Sequence, residues 1–224
     1  MRFVIAMCLL LLCACGGATV ARFTTEDNVH IAYTFQKGEA GKPAILLLHM
    51  LGRTRADWNA FARQLNQQGY PTLAIDLRGH GQSEGRLSTD NDYRAMVKDV
   101  AGAKRFLAEQ NISNVVIIGA SIGANTALNY AVSDSDVKAA VLLSPGIDYH
   151  GVNVNASMKT VKVPLLIAAS KEDSYAYNSS KTIANITGAK FIGYDKAGHG
   201  TAMFSTTNLS QAIIDWLGQT VSTD

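Results

Sequence analysis

The stretch Val115-Val116-Ile117-Ile118-Gly119-Ala120-Ser121-Ile122-Gly123-Ala124 decides how this chain folds. An apolar, β-branched run of strand length ends in Gly-x-Ser-x-Gly. Asn125-Thr126-Ala127-Leu128-Asn129-Tyr130-Ala131 follows and reads as helix. Strand, sharp turn and helix together are the setting of a nucleophile elbow, where a serine hydroxyl stands clear of the sheet edge. The helix folds back so tightly that a Cβ two residues before or after the serine would clash. Gly119 and Gly123 meet that need.

Outward from the elbow, the pattern alternates strand and helix. Towards the N-terminus, Arg22–Glu26 and Val29–Phe35 alternate apolar and polar residues around Asp27-Asn28, which predicts an antiparallel hairpin. Ala44–His49 is solidly apolar, as a strand covered on both faces must be. Ala56–Gln68 has helical spacing with Trp58, Phe61 and Leu65 on one stripe, and Thr72–Leu77 is a further strand. Asn91 or Asp92 caps a helix running to Gln110. Beyond the elbow come strands at Val137–Leu143, Pro164–Ala169 and Lys190–Tyr194, and helices at Ala176–Ile186 and Leu209–Leu217. This order predicts an α/β domain on a mostly parallel sheet over residues 22–224, with helices on both faces.

The 224 residues suit one domain, and the net charge of +2, with no basic stripe, argues against nucleic acid as a partner. The first residues stand apart. A short positive start, Met1-Arg2, precedes an apolar run too short to span a bilayer. Its end, Leu12-Cys13-Ala14-Cys15-Gly16, resembles a bacterial lipobox. The resemblance implies a signal peptide over 1–14, lipid attachment at Cys15, a tether over 15–21 and a protein anchored to an envelope membrane. In a two-membrane cell that is the periplasmic side of the outer membrane. All three cysteines lie in this segment, so the domain is neither a disulfide scaffold nor a cysteine metal site. No metal constellation or phosphate-cradling loop is evident, and no cofactor is expected.

A serine hydroxyl needs a base, and the base needs a third group to orient it. Both must follow strands, at the edge where Ser121 lies. His199 qualifies, inside Lys196-Ala197-Gly198-His199-Gly200 after the strand ending at Tyr194. Asp173 qualifies after the strand Pro164–Ala169. Asp148, after the preceding strand, competes with it, while Glu172 would point the other way. His30, His80 and His150 read as local or surface residues, and His49 as an organiser of its loop. An oxyanion needs preorganised N–H donors. Ile122 opens the elbow helix and supplies one, and the loop His49-Met50-Leu51-Gly52 supplies the other.

These motifs, with Asp76-Leu77-Arg78-Gly79-His80-Gly81-x-Ser83, resemble the α/β-hydrolase superfamily over residues 22–218. The chain order Ser, Asp, His is also that of the superfamily. The resemblance implies Ser121 as nucleophile, His199 as general base, Asp173 as orienting acid, and Leu51 and Ile122 as oxyanion amides. One departure stands out. The family usually has His-Gly-x-Gly in this loop, and here Met50 replaces the first glycine. Met50 then stands as an alternative to Leu51 as amide donor, and its side chain is expected to narrow the acyl pocket. The interval 146–163 is too short for a cap domain. Ile147, Tyr149, His150, Val152 and Met158 are expected to form a small flap over an open site.

The function expected is cleavage of small-molecule carboxylic esters through an acyl-enzyme, as in a short-chain esterase, lipase or thioesterase. The alternatives are a perhydrolase or peptidase of the same fold, or a lipid-anchored binding protein on a hydrolase scaffold.

Overall fold

A computed structural model describes residues 20–221. The signal segment and Cys15 lie outside the described residues. Strands β1 (Arg22–Thr24) and β2 (His30–Gln36) pair antiparallel around Asn28, whose φ is 60°. There follow β3 (Ala44–Leu48), a 3-10 turn (Arg55–Trp58), α1 (Asn59–Gln67) and β4 (Thr72–Ile75). Helices α2 (Asp90–Arg94) and α3 (Met96–Glu109) lead to the elbow strand β5 (Val115–Ala120) and its helix α4 (Ile122–Ala131). Then come β6 (Val137–Leu143), a two-residue hairpin β7 (Asp148–Tyr149) and β8 (Val152–Asn153), and α5 (Ser157–Thr160). The chain closes with β9 (Leu165–Ser170), α6 (Ser174–Thr187), β10 (Lys190–Tyr194), a 3-10 turn (Gly200–Ser205) and α7 (Leu209–Thr220).

The main sheet runs β1-β2-β4-β3-β5-β6-β9-β10. The pair β2–β4 is antiparallel, and every pairing from β4 to β10 is parallel. The fold is the expected α/β-hydrolase architecture, with no cap domain among the described residues. Alternation along β3 shows why its five residues are all apolar. Ile45 and Leu47 enter a core with Trp58, Phe61 and Leu65 around α1 and Ile213 and Leu217 of α7. Leu46 and Leu48 enter the opposite core, with Met96, Val100, Leu107, Leu128 and Ile183 from α3, α4 and α6. A strand covered on both faces has no polar position to offer. Burying each such side chain contributes about 1.5–3 kcal/mol.

Two expectations are corrected. Thr89, not Asn91 or Asp92, caps the helix after the glycine-rich loop. Its hydroxyl accepts from Asp92 N–H while the Asp92 carboxylate accepts from Thr89 N–H, a capping box. The helix is also broken at Ala95 into α2 and α3. Second, much of the expected flap is core. Val152 and Met158 are buried against the α4 side of the sheet, and His150 stacks on Tyr93 with ring centroids 4.6 Å apart.

Polar groups pin the strand ends that carry the loops of interest. Arg78 is buried and forks between two carboxylates: its Nε donates to Asp99 at 2.9 Å and its Nη1 to Asp27 at 2.8 Å. Asp99 is fully buried, and burial raises its carboxyl to about 6 despite the guanidinium. His49 is buried between the ends of β3 and β4. Its Nε2 accepts from Leu77 N–H at 2.9 Å and its Nδ1 lies 2.6 Å from the Met50 carbonyl. This pattern fixes a neutral ring protonated on Nδ1. Burial lowers its pKa from 6.5 to about 4.

Arg78→Ala leaves the buried Asp99 without its partner, and unfolding free energy is expected to fall by about 3–5 kcal/mol in denaturant titration. His49 gives a pH signature. Its folded pKa is depressed, so the unfolded chain binds more protons between the two values. Stability is then present above pH 6.5 and lost as pH falls towards 4, by about 3 kcal/mol over that window. His49→Gln should flatten this part of the stability–pH curve.

Candidate active site

Ser121 joins β5 to α4 with φ 55° and ψ −121°, a conformation rarely open to a residue with a side chain. Two glycines enforce it. A Cβ at Gly119 would lie 2.2 Å from the Gly123 carbonyl oxygen. One at Gly123 would lie 2.6 Å from the carbonyl oxygens of Leu48 and His49. The turn is closed by Ser121 N–H donating to the Leu143 carbonyl at 2.8 Å and by Ala124 N–H donating to the Ser121 carbonyl at 2.9 Å. Ile122 is the first residue of α4, so its N–H has no carbonyl one turn back to bind.

The loop after β3 runs differently from the expectation for Met50. Met50 has no positive φ. The left-handed residue is Gly52, with φ 70°, at the third position of a turn closed by Arg53 N–H on the Met50 carbonyl at 3.1 Å. The Met50 side chain turns towards the loop that carries His199. Its sulfur lies on Gly200, where an added Cβ would be 2.3 Å away, and it packs with the α1/α7 core. Peptide planarity then orients the amides. The His49 carbonyl faces Gly123 of the elbow helix, so the Met50 N–H points away from it. The Met50 carbonyl is held by the His49 ring and Arg53, so the Leu51 N–H faces the opposite side.

The loop after β10 brings His199 to the elbow's edge of the sheet, and its Nδ1 hydrogen-bonds Asp173 Oδ2. Asp173 is also the N-cap of α6, its Oδ1 accepting from Ala176 N–H at 3.2 Å. One carboxylate therefore serves the imidazole and the helix. Asp148 does not compete. Its carboxylate is turned into its own hairpin, accepting from Gly151 N–H at 2.7 Å and Asn153 Nδ2 at 3.1 Å. Glu172 accepts from Gly198 N–H and so holds the histidine loop by its backbone, not by the ring. Among the described residues, Ser121 Oγ and the His199 ring share no hydrogen bond, although their loops converge on one edge.

The remaining histidines are local, as expected. His30 bonds Thr24, His80 lies 3.0 Å from the Arg78 carbonyl, and His49 organises its loop. Three supporting groups escape the sequence. Ser144, fully buried with φ 50°, accepts from Gly200 N–H at 2.9 Å. Ser170 accepts from Ala197 N–H at 3.0 Å. Tyr149, expected only as flap, meets the His199 ring edge-on at 6.4 Å between centroids. The one available signal is position: Ser170 ends a strand, and Ser144 and Tyr149 lie in the segment after one, at the serine's edge. A cleft of about 500 Å³ lies at the opposite edge around Lys37, Lys42 and Asn114 and contains none of these groups. Among the described residues no cluster of His, Cys, Asp and Glu could hold a metal ion.

Comparison with known proteins agrees with this architecture. The chain is 28% identical over 167 residues to the mouse sn-1-specific diacylglycerol lipase ABHD11, covering 71% of this chain and 53% of that protein. It is 29% identical over 174 residues to the quorum-quenching protein AidA of Acinetobacter baumannii (strain MDR-ZJ06), covering 75% and 54%. The chain thus spans about half the length of the curated relatives it matches. In fold it is similar to the Pyrococcus furiosus esterase Pf2001, with a TM-score of 0.79 at 18% identity over 91% of this chain and 93% of that one. It is also similar to the esterase EaEST from Exiguobacterium antarcticum, with a TM-score of 0.74 at 15% identity over 89% and 99%. The profile of the family described as serine aminopeptidase, S33 (Hydrolase_4) matches residues 39–162. With that match over more than half its length, and with this sheet and elbow, the chain belongs to the Hydrolase_4 family of α/β-hydrolases.

Proposed function

We propose that the protein is a serine hydrolase acting on carboxylic esters, with Ser121, His199 and Asp173 as its triad. The observation that carries this reading is the Asp173-bound imidazole of His199 on the same sheet edge as the strained Ser121 turn. Asp173 holds Nδ1, which leaves Nε2 as the basic nitrogen. Ser121 Oγ attacks the ester carbonyl and its proton passes to His199 Nε2. The tetrahedral oxyanion sits at the amides of Ile122 and Leu51, and the orientation of the 49–52 peptides favours Leu51 over Met50. Collapse expels the alcohol, which takes the proton back from His199. Water, activated by the same imidazole, then frees the acid.

The named esterases and lipase among its relatives support ester bonds as the substrate class. Leu51 and Tyr175 expose apolar surface, Leu51 in the oxyanion loop and Tyr175 on α6 beside Asp173. This favours acyl and alcohol groups presented at an open mouth over deeply buried chains. The family's description makes peptide amides the second class to try. With the enzymatic reading goes an anchored location: Cys15 as lipid attachment site at an envelope membrane, a proposal that rests on the Leu12–Cys15 sequence.

The test is kcat/KM on p-nitrophenyl esters from acetate to long acyl chains, with aminoacyl p-nitroanilides beside them. Turnover of the esters is expected to exceed that of the anilides. Ser121→Ala and His199→Ala should each lower kcat/KM by about 10⁴-fold or more, and Asp173→Asn by about 10⁴-fold. Unchanged ester turnover in Ser121→Ala would sink the assignment.

A further inference from the structure

The sheet order β3-β5-β6 puts two different loops on the two flanks of Ser121. The 49–52 turn, after β3, lies on the oxyanion flank. The hairpin β7–β8, after β6, lies on the other. In the proposed reaction the leaving oxygen must sit within reach of His199, which returns its proton. Tyr149 meets that ring edge-on, 6.4 Å between centroids, from the hairpin that follows the strand next to the Ser121 turn. Its hydroxyl donates to the Ser144 carbonyl at a long 3.3 Å. The preceding carbonyl, that of Leu143, receives the Ser121 N–H. Burial first, and then the Asp173 carboxylate, raise the phenol's pKa, with Ser121 acting in the opposite direction. The phenol therefore keeps its proton and is available as a donor.

The hairpin that carries Tyr149 is held on three sides. Asn125, in the elbow helix and fully buried, donates to the Val152 carbonyl at 2.8 Å and accepts from Gly146 N–H at 3.1 Å. The Tyr175 hydroxyl donates to the Asp148 carbonyl at 2.8 Å and accepts from its N–H at 3.0 Å. The Tyr149 and Tyr175 rings close over Gly146, where a Cβ would lie 2.7 Å and 2.8 Å from them. The phenol is thus fixed in place, while its O–H is free to rotate to a new acceptor.

We propose that Tyr149 is a substrate-contacting residue on the leaving-group side. Its O–H turns from the Ser144 carbonyl to the alkoxy oxygen of the ester as the acyl C–O bond breaks. This rests on the ester-hydrolase reading above. When the tetrahedral intermediate collapses, the bonding pair goes to the alkoxy oxygen and the His199 imidazolium delivers its proton there. Tyr149 keeps its own proton throughout and only hydrogen-bonds the oxygen while it carries charge. The contribution should be largest for poor leaving groups, whose oxygen accumulates the most charge before it is protonated.

The experiment is kcat/KM, which reports acylation, for wild type and Tyr149→Phe across acetate esters from ethyl to p-nitrophenyl. The variant keeps the ring on His199 and Gly146 and removes only the hydroxyl. A loss of about 10- to 100-fold on ethyl acetate is expected, against less than about 3-fold on p-nitrophenyl acetate. The retained p-nitrophenyl turnover shows that the variant is folded. With the wild type active, an equal loss across the series, or no loss, overturns the role of Tyr149 alone. A wild type inactive on every ester overturns the reading on which this role depends.

Discussion

The structure turns on a backbone contact. Gly119 and Gly123 let α4 lie directly on β5 and on the carbonyls that end β3, with no room for a methyl group at either position. That contact forces Ser121 into a left-handed turn that costs on the order of 1–3 kcal/mol, offset elsewhere in the fold. It also sets the start of the 49–52 loop, because Gly123 rests on the His49 carbonyl. Ser121 and the 49–52 loop are therefore positioned by one packing event, not by two independent ones.

The other loops are tied to that centre by groups remote in sequence. Met50 fills the space that Gly200 leaves empty and so joins the 49–52 loop to the loop around His199. Ser144, Ser170 and Glu172 each accept a backbone N–H from the segment 197–200 around His199. Asp173 caps α6 with one oxygen and holds the imidazole with the other. Each tie fixes a donor or acceptor with few alternative partners. For the proposed reaction, a site preorganised in this way spends little free energy on rearrangement.

The fold is legible in the sequence because its signals are local. Val115–Ala120 and Ala44–Leu48 are apolar at every position, and the glycines of the elbow stand at fixed spacing. The seats of Ser121, Asp173 and His199 follow from the rule that such groups lie after strands at one edge. What is not legible depends on distant partners. Asp148 is a local exception: like Asp173 it comes after a strand at this edge, and hydrogen bonds from Gly151 and Asn153 of its own hairpin turn it away. Met50 reads as a misfit because its complement, Gly200, lies far along the chain. Val152 and Met158 read as parts of a flap because the short interval hides how closely the hairpin lies on α4. The Thr89 cap is different, since Asp92 stands three residues on and the pair is a local capping-box signature.

The central claim is that Ser121 is an activated nucleophile, and covalent labelling tests it whatever the natural substrate. The domain from residue 16 onward is treated with a fluorophosphonate, and the product is read by intact mass and peptide mapping. A single adduct on Ser121, lost in His199→Ala, is the result predicted here. A folded wild-type domain that takes up no label, or takes it up on another residue, would contradict the account.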